Sequence, residues 1–145
     1  MNEQRPGVDP AKATMTARII HAAISSGVVL LFAVFLFLRG SANLDAAGSG
    51  RLLRIVGYVV LAGGVLASGM LRGRIARRRR GADLAEWWSQ SLPKAIVTWA
   101  IAEGAGLAAM VMGWLIGDTT LLALGAAVSL ALLFASRPTR LQSET

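Results

Sequence analysis

The chain has 145 residues, 54% of them hydrophobic and 16% charged, with a mean hydropathy of +0.57. Soluble domains carry about 25% charged residues, so this composition has too little polar surface to cover a core in water and points to a compact polytopic membrane protein. The net charge of +7 sits at the edges of apolar runs, which argues against a nucleic-acid partner, and the lack of cysteine excludes disulfides, thiolate metal sites and cysteine nucleophiles.

Four apolar runs follow one another. The first, Ile19 to Leu38, is bracketed by Arg18 and Arg39. It is longer than the apolar region of a secretory signal and lacks a good cleavage site, so it is expected to be a retained helix. A Gly-, Ala- and Ser-rich connection from Arg39 to Arg51 leads to the second run, about Leu52 to Leu71, with Arg54 close enough to its end to snorkel. The loop after it reads RGRIARRRR and then GADLAEWWSQSLPK. Asp83 and Glu86 have capping-pair spacing, and Leu84, Trp87, Trp88 and Leu92 fall on one helical face. The pattern predicts a short amphipathic helix over about 84–92, lying in the interface with its tryptophans at headgroup depth and ended by Pro93. The third run is Ala95 to Ile116 and the fourth about Thr119 to Ser136. Each approaches the ~20 residues that cross a ~30 Å hydrocarbon layer. The fold class expected is therefore all-α, a bundle of four transmembrane helices with one interfacial helix, forming a single membrane domain over 1–145.

Charge placement orients this bundle. Of the 15 Lys and Arg, twelve fall in the N-terminal tail, the loop between runs two and three, and the C-terminal tail. Only Arg39, Arg51 and Arg54 fall on the other side. The positive-inside rule then places both termini in the cytoplasm, in a bacterial inner membrane. Arg77, Arg78, Arg79 and Arg80 serve at least as a topology anchor, and with Trp87 and Trp88 they are candidates for contact with anionic lipid headgroups.

Small residues recur at four-residue spacing: Ala123, Ala127, Ala131 and Ala135 in run four, Ala105, Ala109 and Gly113 in run three, Gly64 and Ser68 in run two, Ala23 and Gly27 in run one. Such stripes let membrane helices approach closely, within one bundle, in a homo-oligomer or against a partner subunit. The short Gly117–Asp118 turn makes runs three and four antiparallel neighbours.

One carboxylate interrupts the third run. Glu103 lies eight residues past Ala95, ~12 Å along a helix and near mid-bilayer. A mid-span acid costs ~2.5–3.5 kcal/mol on insertion scales unless it is neutral, paired or hydrated, and burial favours its protonated form. Ser25, Ser26 and Ser129 fall at a similar depth and would surround it if their faces turn inward. His21, nearer the cytoplasmic end, is too far for a direct bond to Glu103; it is expected to hydrogen-bond a backbone carbonyl or headgroup, or to communicate with Glu103 through water. One His and one Glu cannot make a metal site, a lone histidine cannot make a bis-histidine haem site, and no catalytic motif occurs, so neither cofactor nor enzyme activity is expected.

The sequence AIAEG at 100–104 resembles the surroundings of the ion-carrying glutamate in the proteolipid c subunit of rotary ATP synthases, although the second run, YVVLAGGVLASGM, lacks that family's alternating glycines. A closer likeness is to small four-helix bacterial inner-membrane proteins of unassigned function, carried by Ala100, Glu103 and Gly104 and by the Arg137–Pro138 pair. That resemblance implies the four-helix fold and no mechanism. Two functions are expected of such a chain: proton or cation handling by Glu103, or a non-catalytic accessory role in which a protonated Glu103 bonds across helices.

Overall fold

A computed structural model describes residues 9–38, 50–75, 78 and 81–142. The order of elements is α1 (Pro10–Phe37), α2 (Gly50–Gly73), α3 (Leu84–Leu115), α4 (Thr119–Ala135) and the single turn α5 (Pro138–Leu141), with no strand among the described residues. Three of them, α1, α2 and α3, are long and apolar enough to cross a membrane, and α4 is a shorter apolar helix.

Local chemistry sets the helix starts. Asp9, Asp83 and Asp118 each accept a hydrogen bond from a backbone N–H in the first turn beyond them, at 2.9, 2.9 and 3.1 Å, and so cap α1, α3 and α4. Pro10 at the first position of α1 has no N–H to leave unsatisfied, so the helix starts nine residues before its apolar run. Between α3 and α4, Gly117 takes φ 67°. The Asp118 N–H then reaches the Gly113 carbonyl at 2.7 Å and the Gly117 N–H the Trp114 carbonyl at 3.2 Å, closing a Schellman turn.

The expected break at Pro93 does not occur. α3 runs unbroken from Leu84 to Leu115 with Pro93 inside it, so no separate interfacial helix exists over 84–92. The reason lies in the face it buries. Trp88, Ser91, Ala95, Thr98, Trp99, Ala102, Ala105, Ala109 and Gly113 form one buried stripe on both sides of the proline. An interior proline costs ~3 kcal/mol. Burying tryptophans, at about 150–250 Å² per aromatic ring, offsets that cost only if the helix keeps its direction.

α3 is the central element, packed against α1, α2 and α4, while α1 is peripheral. Only 6% of the most apolar window of α1 is buried, against 39% for α3. Close approach comes from small residues, as expected on α2 and α3, where Gly64 and Ser68 face inward and a Cβ at Gly64 would collide with that of Ala105. On α4 the expected stripe is reversed. Ala123, Ala127 and Ala131 point outward, and Leu122, Gly125, Ala126, Ser129 and Leu133 pack inside. Gly125 decides this rotation, because its backbone meets that of Gly106. A Cβ on Gly106 would lie 2.7 Å from the Gly125 carbonyl oxygen, and one on Gly125 would lie 2.8 Å from that of Gly106.

At the opposite end from the arginine-rich loop, Arg54 does more than snorkel. Its Nε lies 2.7 Å from Asp118 Oδ2 and ties α2 to the α3–α4 turn.

A side chain at the Gly106–Gly125 crossing is expected to be costly. Gly125→Val should destabilise the fold by at least the ~1–3 kcal/mol typical of overpacking, read as a lowered thermal midpoint by circular dichroism in detergent. Ala127→Val, on the outward face, should leave that midpoint unchanged, and equal loss in both variants would contradict the crossing.

Candidate functional site: the Glu103 seam and the capped end of helix α4

Glu103 projects from the central helix into its seam with α1. A Cβ built on Gly27 would lie 3.5 Å from Glu103 Oε1, so the glycine makes room for the carboxylate. The residue is half-buried, and no hydrogen bond or ion pair reaches it among the described residues.

The serines at similar depth do not bond to it. Ser25 donates to the His21 carbonyl at 2.9 Å within α1, and Ser26 is exposed. Ser129 is fully buried between α4 and α3, against Gly106, and its hydroxyl has no partner among the described residues. Depth could be counted along the sequence, whereas rotation about each helix axis is fixed by packing, and packing sends these hydroxyls elsewhere.

His21 occupies a different polar layer. Its Nε2 lies 2.9 Å from the Leu133 carbonyl oxygen, and its ring meets Trp99 edge-on at 5.1 Å and 77°. Because the carbonyl can only accept, Nε2 carries the proton in this bond. Trp99 in turn donates from Nε1 to the Ser136 carbonyl at 2.9 Å, and the Ser136 hydroxyl donates to the Leu132 carbonyl at 2.7 Å. The Ser136 N–H still reaches the Leu132 and Leu133 carbonyls at 3.0 and 3.1 Å, and beyond it no helical N–H follows to complete the pairing of this end. Side chains from α1 and α3 supply the donors. Trp99 and Ser136 were not singled out as functional from sequence. The available signal was Pro138, which halts the helix and leaves carbonyls to be satisfied in an apolar medium.

The arginine-rich loop is only partly described. Arg77, Arg79 and Arg80 lie outside the described residues. Arg78 is half-buried and donates to the Ala82 carbonyl from Nε at 3.2 Å and Nη2 at 2.8 Å. Trp87 and Trp88 are 8% and 1% exposed and stack edge-to-face at 4.7 Å inside the core. They therefore belong to the buried face of α3 rather than to an exposed one. Below the loop, Ser68, Thr98 and Ser136 line a cavity of about 50 Å³ with Arg72 at its wall, and the Ser68 hydroxyl there is buried without a partner. No group of three or more His, Cys, Asp or Glu suited to a metal ion occurs among the described residues.

The cap on α4 yields a direct expectation. Trp99→Phe keeps most of the ring and removes the only donor to the Ser136 carbonyl from outside its own segment, which should cost ~1–3 kcal/mol in unfolding free energy. Trp114→Phe removes only a long 3.4 Å contact to the Leu38 carbonyl and should cost less. Denaturant titration in micelles distinguishes the two, and equal losses would remove the capping role.

No family model matches the chain, nor does any curated protein or solved structure, so function must be argued from these residues alone.

Proposed function

We propose that this chain is a small inner-membrane protein in which Glu103 takes up and releases protons or cations at the α1–α3 seam. The observation that carries this reading is the position of the carboxylate: on the central helix, half-buried beside Gly27, and without a partner among the described residues. An acid held only as a structural group would be expected to spend its proton on a neighbouring acceptor, since unsatisfied polar groups in hydrocarbon are costly. Glu103 has no such acceptor in the described part of its own chain, and its side chain beside Gly27 is only half-buried.

The reading includes a four-span bundle with both ends of the helical domain on the cytoplasmic side. At ~1.5 Å per residue, the 17 residues of α4 give ~26 Å, a little short of the ~30 Å layer, and the capped carbonyls of its last turn let that end sit at or inside the boundary. The cations support the orientation. Lys12, Arg18, Arg72, Arg74, Arg78, Lys94, Arg137 and Arg140 gather at the end where α1 begins and α4 stops, with Arg51 and Arg54 at the other.

A second reading is favoured by the exposed faces of α1 and α2, where Leu30 and Leu66 are 65% and 68% exposed. In it the chain is a non-catalytic assembly subunit, and a protonated Glu103 donates to a helix of another chain, in a homo-oligomer or a membrane complex.

Reconstituted vesicles with an internal pH dye separate the two. Proton handling predicts a flux that falls at least tenfold in Glu103→Gln while the oligomeric state is kept, and carbodiimide should modify Glu103 in the wild type. Absence of flux in both proteins, with loss of an oligomer or partner in Glu103→Gln, would overturn the first reading in favour of the second.

A further inference from the structure

At the arginine-rich end, the last residues of α2 and the proline turn of α3 enclose a groove of about 410 Å³, lined by Leu71, Arg74, Pro93, Lys94 and Val97. Its walls are of two kinds. Leu71, Pro93 and Val97 are apolar, and Val97 is 49% exposed although it lies on a helix whose opposite face is fully packed. Arg74 and Lys94 are both exposed, and neither side chain has a hydrogen bond or ion pair among the described residues. Arg74 follows the end of α2 and Lys94 lies on α3, so the fold has brought to one groove two cations with no ion pair among the described residues. Arg72, two residues before Arg74 and on α2, adds a third cation without an ion pair among the described residues at the neighbouring cavity.

We propose that this groove binds one anionic phospholipid, with the headgroup phosphate held between Arg74 and Lys94 and the first acyl carbons lying on Leu71 and Val97. Two positive charges above an apolar wall suit a ligand with a negative head and a hydrocarbon tail, and basic pockets between membrane helices are the common form of such a site. A free inorganic anion would use the charges and leave the wall exposed to water. A partner helix, about 10–12 Å across with its side chains, is too wide for a space of this size. The site differs from the loop arginines 77–80, and it explains an otherwise costly arrangement. Pro93 removes one helical hydrogen bond and leaves the Ser89 carbonyl unpaired within the helix, at the place where the chain needs a shallow notch beside Lys94. The proposal rests on the bilayer placement argued above and is independent of the role of Glu103.

Native mass spectrometry of the delipidated full chain tests it, with titration by phosphatidylglycerol, phosphatidylcholine or inorganic phosphate. One equivalent of phosphatidylglycerol should bind in preference to phosphatidylcholine. The double variant Arg74→Gln/Lys94→Gln should weaken that binding by at least about tenfold. Both side chains are exposed and unpaired, so the variant should keep its helical circular dichroism. Val97→Trp, which fills the groove and leaves the charges, should weaken binding as well, whereas Arg51→Gln at the opposite end should not. Equal binding of the two lipids, full binding by the double variant, or phosphate binding as tightly as phosphatidylglycerol would each overturn the proposal. A chain that failed to enter detergent or lipid at all would overturn the membrane reading and this site with it.

Discussion

The contact on which the rest of this molecule depends is the backbone-to-backbone crossing of α3 and α4 at Gly106 and Gly125. Lipid offers no hydrophobic drive for helices to associate, so close packing has to supply the attraction, and two facing glycines allow the closest packing there is. Once Gly106 is turned to α4 and Ala105 to Gly64 of α2, the rotation of α3 has no freedom left. Glu103 is three residues before Gly106, about 60° round the helix, and this places it at the edge of the packed face, toward α1. Its position at a seam is thus a consequence of where the glycines are.

The same crossing carries the C-terminal end of α4 to His21 and Trp99. A helix that stops in an apolar setting exposes carbonyls that water cannot reach, and the penalty for leaving them unmade exceeds the net gain from making them. Donors from α1 and α3 remove that penalty, and they also register three helices along their axes. At the other end, the Asp118 carboxylate caps α4 and pairs with Arg54, so one side chain holds a helix start and a helix-to-helix contact together. Between these two fixed ends the inner faces are nearly featureless, built from alanine, glycine and leucine. Among the described residues, Glu103 stands out in the middle as an ionisable side chain beside neutral ones such as Ser129.

Much of this was legible in the sequence, and the exceptions have a common cause. The apolar runs, the Asp83 cap, the α3–α4 turn and a histidine bonded to a backbone carbonyl follow from composition and spacing, which are properties of one segment at a time. The outward turn of Ala123, Ala127 and Ala131 does not. A stripe of alanines and the Gly125–Ser129 pair are both plausible inner faces of α4, and only the partner helix chooses between them. Pro93 was read as a helix end because its cost is local, while the gain that outweighs it, burial of Trp88 and Trp99 on one continuous face, is tertiary. Glu103 has no hydrogen bond from Ser25, Ser26 or Ser129 for the same reason: depth is additive along the chain, and azimuth is not.

Isotope-edited infrared spectroscopy of the protein in lipid tests the central claim most directly. A Glu103 that is only half-buried and lacks a partner among the described residues should give a carboxyl band, absent in Glu103→Gln, that shifts promptly on transfer to deuterated buffer. A band at that residue that does not shift would mean that the carboxyl is locked inside the bundle, and would contradict the proposal of Glu103 as an exchanging group.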